Sequence, residues 1–203
     1  MSGNQRRHCR DRRNRRRIGA AWHGLLGLSC GLLLVVTGCL DEGTPTDAGE
    51  PRRRAPEFTL PTLDGTEVQL SSLRGHIVIL DFWATWCPPC EVQMPILDAL
   101  WEDERDRREK PGPGLAVVGV SVDTLPADEV EAWVEERGFE YPIALGDQAL
   151  ARAFGAIGFP TLVVVDPEGR IHTRHVGVLS RAELDEIVTE IRREARVAVV
   201  SDS

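Results

Sequence analysis

Residues 77–90 read IVILDFWATWCPPC. The apolar run 77–80, rich in β-branched residues, predicts a buried strand. Cys87-Pro88-Pro89-Cys90 follows, and beyond it Val92, Ile96, Leu97, Leu100 and Trp101 recur at helical spacing. The two cysteines therefore sit where a strand hands over to a helix. The first turn of a helix offers unpaired N–H groups and the positive end of the dipole, and both favour a thiolate at Cys87. The thiolate is the form that attacks a disulfide. Cys90, one turn on, is placed to attack the resulting mixed disulfide and release the partner. Pro88 and Pro89 suit the position, because proline is tolerated in a first turn and stiffens the approach. An inert structural disulfide is the plainer alternative, but a bond closing so small a loop constrains the unfolded chain little.

Towards the amino terminus, residues 58–60 and 67–70 read as short strands joined by a turn at Asp64-Gly65. Towards the carboxyl terminus, Pro95 falls inside the helix, where it removes a backbone hydrogen bond and should kink it. The charged run 102–110 is a solvated helix end, stopped by Pro111-Gly112-Pro113-Gly114. Residues 115–122 form a second buried strand. A helix over 126–137 follows, with Val130, Trp133 and Val134 on one face and Gly138 at its end. Residues 141–145 make a short strand, and Asp147 caps a helix running to Phe154. A third buried strand, 161–165, turns through 166–169 into a strand over 170–178. Ser180 and Glu183 then make a capping box for a final amphipathic helix to about residue 196. Strands alternating with helices and closing on a hairpin describe an α/β sheet with helices on both faces.

DFWATWCPPC resembles the active-site segment of the thioredoxin superfamily. Its context is similar to the membrane-tethered TlpA/ResA-like thiol–disulfide oxidoreductases over roughly residues 55–196. The resemblance implies a thioredoxin-like fold: a central mixed sheet with helices on both faces, an amino-terminal hairpin and a central insertion at about 123–156. Cys90 and Pro160 lie 70 residues apart, which leaves room for that insertion, and its expected work is partner selection. Gly158-Phe159-Pro160-Thr161 resembles the family's cis-proline loop, which faces the disulfide and lets a substrate chain pair with the backbone before the proline. An X-Pro bond is the one peptide bond that turns cis cheaply. The resemblance thus implies Cys87 as nucleophile, Cys90 as resolving thiol, Pro160 as part of the catalytic site, and Trp86 and Phe159 against the substrate. Asp81, six positions before Cys87, matches the buried acid of thioredoxin, where TlpA-like proteins commonly carry asparagine. A buried carboxylate has a raised pKa and accepts the Cys90 proton during resolution. An aspartate at the strand's exposed end is the alternative.

The 203 residues suit one domain with appendages. Residues 1–38 hold eight arginines and one acid, and removing them from 24 basic and 32 acidic residues leaves 16 and 31, a formal charge of −15. A body that acidic excludes nucleic acid as a partner, since phosphate contact needs clustered Lys and Arg. Residues 1–17 are arginine-rich, 18–36 are apolar, and Val36-Thr37-Gly38-Cys39 resembles the bacterial lipobox, whose cysteine is lipidated. The expected division is a signal peptide at 1–38, a tether over 39–54 anchored to the membrane through Cys39, the thioredoxin-like domain at 55–196 and a tail at 197–203. An uncleaved membrane span is the alternative. Both place the body outside the cytoplasm, on the periplasmic side of a bacterial membrane. Arg52 to Arg54 offer contact with anionic headgroups.

His172 and His175, three apart in a strand, fall on opposite faces and read as solvated, so no metal site is expected. No cofactor is expected beyond the redox-active pair Cys87 and Cys90. Copper-delivering Sco-like proteins resemble C-x-x-x-C with a well-placed histidine. A peroxiredoxin carries threonine three residues before its reactive cysteine, whereas Thr85 stands two before Cys87. The expected function is dithiol–disulfide exchange with protein partners that carry disulfides or thiols. The resemblance favours a reductant fed by an integral membrane electron donor, with cytochrome c maturation as a candidate role. The alternatives are a disulfide-forming oxidant, a copper-binding assembly factor and a non-catalytic binding lipoprotein.

Overall fold

The computed structural model describes residues 52–105 and 112–201. The expected signal peptide, Cys39 and most of the tether lie outside the described residues, as does Pro111 of the expected helix stop.

All seven residues of β3 (Ile77–Trp83) are buried, which makes this strand the centre of the sheet. It runs past the expected apolar segment through Asp81, Phe82 and Trp83. β4 (Leu115–Ser121) pairs with it in parallel on one side, and β6 (Thr161–Val165) antiparallel on the other. β5 (Ile143–Leu145) continues parallel beyond β4, and β7 (Ile171–Val176) antiparallel beyond β6, so the strand order is β5-β4-β3-β6-β7. A separate hairpin joins β1 (Thr59–Pro61) to β2 (Glu67–Gln69) around Asp64-Gly65. Gly65 takes a φ of +79° there, and Asp64 accepts the Thr66 N–H at 3.0 Å.

Side chains alternate across β3. Ile77, Ile79 and Trp83 meet Met94, Leu97 and Leu100 of α1 (Pro88–Arg105), Val130 of α2 (Ala127–Arg137), and Leu184 and Val188 of α4 (Arg181–Ser201). Val78, Leu80 and Phe82 meet Phe58, Leu70 and Phe154 in the layer that holds α3 (Gln148–Ala153). Each such buried side chain stabilises the fold by about 1.5–3 kcal/mol relative to its exposed state. The sheet is mixed and helices cover both faces, which makes the fold thioredoxin-like α/β.

Four expectations need correction. The helical repeat that includes Val92 does not mark the buried face: Val92 is 58% exposed, because the buried stripe runs through Cys90, Met94, Leu97 and Leu100. α4 continues to Ser201, into the expected tail. The last residues of the expected tether belong to the fold. The Arg53 carbonyl accepts from the Ile171 N–H at 2.8 Å and the Ala55 N–H donates to the Gly169 carbonyl at 3.0 Å, so this segment covers part of the open edge of β7. Arg52 is committed to Glu194 on α4 through two hydrogen bonds of 2.8 and 3.0 Å, while Arg53 and Arg54 stay exposed. Finally, His172 is not solvated: its side chain is 7% exposed, close to Glu194 of α4.

Candidate active site

Cys87 and Cys90 form a disulfide at the amino end of α1, with Cα atoms 5.3 Å apart. Cys87 is 4% exposed and Cys90 wholly buried, so an incoming thiolate or disulfide meets Cys87. Pro88 and Pro89 have no N–H, and the Cys90 N–H goes to the Cys87 carbonyl at 3.0 Å. The helix end therefore acts on the Cys87 sulfur through its dipole more than through free donors in its first turn.

The loop before the cysteines is pinned from β4. Asp123 accepts from the Thr85 N–H at 2.9 Å and from the Thr85 hydroxyl at 2.8 Å, and from the Ser121 hydroxyl at 3.0 Å. Sequence reading used Asp123 only as an insertion boundary. The available signal was an acid just past the carboxyl end of the buried strand predicted over 115–122. Gln93 was also missed. It is buried in α1 and its side-chain oxygen accepts the Leu179 N–H at 2.7 Å, tying the helix to the segment before α4.

The Phe159–Pro160 peptide is cis. Pro160 leads into β6, whose Thr161 pairs with Phe82 of β3, so the loop and the cysteines share one end of the sheet. The Trp86 and Phe159 rings meet edge to face with centroids 5.9 Å apart. Trp86 is exposed, as are Ile157 and Val176, and Val176 lies against Gly158. The buried sulfurs are thus rimmed by apolar surface, of the kind that docks another chain.

Asp81 lies in mid-ladder, opposite Gly119 of β4 and Leu162 of β6, not at an exposed strand end. By alternation it faces the layer of Cys90, Met94 and Tyr141. It is fully buried, and desolvation pushes its carboxyl up to about 7. The Tyr141 hydroxyl faces it and pulls the value down, although the pair lacks a hydrogen bond of good geometry. Tyr141 itself is pushed well above its ordinary value by burial, then by the Asp81 charge. Gly119 makes this approach possible. A Cβ there would stand 2.6 Å from Ile143 Cδ1, 3.0 Å from Trp83 Nε1 and 3.1 Å from Tyr141 Cε2.

α2 clamps the site from the side. The Trp83 and Trp133 rings pack at 5.1 Å, Arg137 lies 3.8 Å over Trp133, and its Nε reaches Glu91, next to Cys90, at 3.3 Å. The structure thus brings Cys87, Cys90, Trp86, Phe159 and Pro160 to one end of the sheet and buries Asp81 behind them. Cys39 lies outside the described residues.

The AhpC/TSA family model matches residues 51–174. The chain is 31% identical over 136 residues to the thioredoxin-like protein YneN of Bacillus subtilis, covering 66% of this chain and 76% of that protein. It is 28% identical over 144 residues to the thiol-disulfide oxidoreductase ResA of Bacillus thuringiensis, covering 68% of this chain and 77% of ResA. Among solved structures, a thioredoxin-family thiol:disulfide interchange protein from Chlorobium tepidum superposes with a TM-score of 0.61 at 31% identity, over 71% of this chain and 99% of that one. A buried redox pair at a helix start, a cis-proline loop beside it and these likenesses agree: the chain belongs to the AhpC/TSA family, as one of its thioredoxin-like thiol–disulfide oxidoreductases.

Proposed function

We propose that the protein is an exported, membrane-anchored reductant of protein disulfides. The supporting observation is the asymmetry of the sulfur pair: Cys87 opens to an apolar rim beside cis-Pro160, whereas Cys90 is sealed in the layer that Asp81 faces. In the reduced protein the Cys87 thiolate attacks one sulfur of a target disulfide. A Cys87–target bond forms and the other target sulfur leaves as a thiolate. Cys90 then gives its proton to Asp81 and attacks the Cys87 sulfur. The Cys87–Cys90 bond forms, the mixed disulfide breaks, and the target departs with both sulfurs reduced. Two electrons pass to the target, and an integral membrane donor restores the dithiol from the far side of the membrane. Cytochrome c maturation is one process that consumes such electrons.

The same atoms run in reverse for an oxidant, so electron supply decides direction. Acid quenching of cells followed by thiol alkylation reads it directly. Mostly reduced Cys87 and Cys90 in an oxidising compartment is the expected result. A mostly oxidised pair would overturn the reductant reading and favour a disulfide-forming role.

A further inference from the structure

The geometry points to a second site, for a divalent cation of the zinc class, held by His172, Glu190 and Glu194 at the end of the sheet remote from the disulfide. Glu190 and Glu194 are four residues apart on α4 and share one face. His172 comes to them from β7. One imidazole nitrogen and two carboxylate oxygens lie within 4.8 Å of one another. Val165, at the far end of β6 from Pro160, pairs with Ile171, which puts His172 about 12 Å along the sheet from the cis-proline loop.

The histidine distinguishes this group from an ordinary acidic helix face. Its side chain is 7% exposed and its Nε2 is buried without a hydrogen-bond partner. Glu194 Oε2 stands 3.7 Å away, beyond hydrogen-bond reach. Nδ1 meets the Thr173 hydroxyl at 2.8 Å. With the proton on Nδ1, donated to that hydroxyl, the ring is fixed and the Nε2 lone pair faces the carboxylates, the tautomer a cation would select. An uncompensated lone pair beside two acids is unfavourable in a buried setting, and a cation between them removes the conflict. One imidazole and two carboxylates form a nitrogen and oxygen set that suits zinc, with a fourth position open to water. Tetrahedral zinc holds its ligand atoms roughly 3.4 Å apart. The widest gap must therefore close by up to about 1.4 Å, a movement available to the exposed side chain of Glu190.

Arg52 already neutralises Glu194 through its two hydrogen bonds. Zinc on Glu194 takes over a carboxylate oxygen from the guanidinium, so metal and Arg52 compete. This gives the site a signature that a folding defect does not imitate. The test uses the full chain with the Cys87–Cys90 disulfide closed and its other thiols alkylated, so that no thiolate binds metal. It is titrated with Zn²⁺ against a chromophoric chelator at neutral pH. One equivalent should bind saturably. Glu190→Gln and His172→Gln should each weaken binding at least about tenfold, and Arg52→Ala should tighten it roughly tenfold. Absence of saturable binding, or an affinity unmoved by Glu190→Gln and His172→Gln, would overturn the site. Weaker binding in Arg52→Ala would overturn the competition.

Discussion

A carboxyl group that keeps its proton up to about pH 7 in the folded protein couples stability to pH. Below an ordinary value of 3.8 the folded and unfolded chains both carry the Asp81 proton. As pH rises towards 7 only the folded chain holds it, so stability falls through that window and levels off above it. At about 1.4 kcal/mol per pKa unit the accumulated cost is about 4 kcal/mol. Asp81→Asn should therefore exceed the wild type in unfolding free energy by about that amount near pH 8 and match it near pH 4, as urea titrations at the two pH values would show. In the proposed mechanism the same variant lacks the base for Cys90, and stopped-flow resolution of a mixed disulfide should slow about 100-fold. Tyr141→Phe acts in the opposite sense on the titration. It removes the hydroxyl that pulls the Asp81 value down, so the inflection in the pH–rate profile should move to higher pH while the maximal rate is kept. An unchanged inflection would show that the hydroxyl does not act on the carboxylate. Asp81 was legible in the sequence by its distance from Cys87, but Tyr141 was not. Its partner is 60 residues earlier and reaches it only across the sheet.

At the scale of elements, the elements that present the site owe their form to local chemistry, and their lateral supports to packing. Strand, cysteine pair and helix follow one another within residues 77–105, and the capping box is realised as Ser180 N–H to Glu183 at 2.8 Å. Such features are readable because each is decided by neighbours in the chain. Asp123, Gln93 and the α2 clamp were not, since their partners are 38, 86 and 46 residues away. Periodicity misplaced Val92 for a related reason. The direction of the α1 stripe is set by the sheet beneath it, which a helical pattern alone does not specify. His172 shows the same limit: alternation separated it from His175, but only the docking of α4 decides which face is covered. Gly119 tests how far β4 and β5 constrain the site. Gly119→Ala would force its Cβ onto Ile143 and the Trp83 and Tyr141 rings, a strain of about 1–3 kcal/mol. Thermal unfolding should detect that loss, and the inflection in the pH–rate profile should move to higher pH, as in Tyr141→Phe, because Tyr141 is pushed from Asp81.

For the whole molecule, the division of charge into a basic head and an acidic body fits a chain whose two parts face different surroundings. Among the described residues no helix is long and apolar enough to cross a membrane. Attachment is proposed through Cys39 on the lipobox-like Val36-Thr37-Gly38-Cys39, and Cys39→Ala should abolish incorporation of labelled fatty acid and release the protein from the membrane fraction. Incorporation that survives the substitution would rule out this anchor. The strip of chain at Arg52–Ala55 adds an orientation to that attachment. It is fastened at the turn end of β6 and β7, whereas the sulfurs and the cis-proline loop occupy the opposite end. Arg52 lies thirteen positions after Cys39, at most about 45 Å of chain. Under the proposed attachment the leash joins the body at its heel, the end opposite the reactive tip. That leaves the sulfurs free to meet partners within a shell a few tens of ångströms deep.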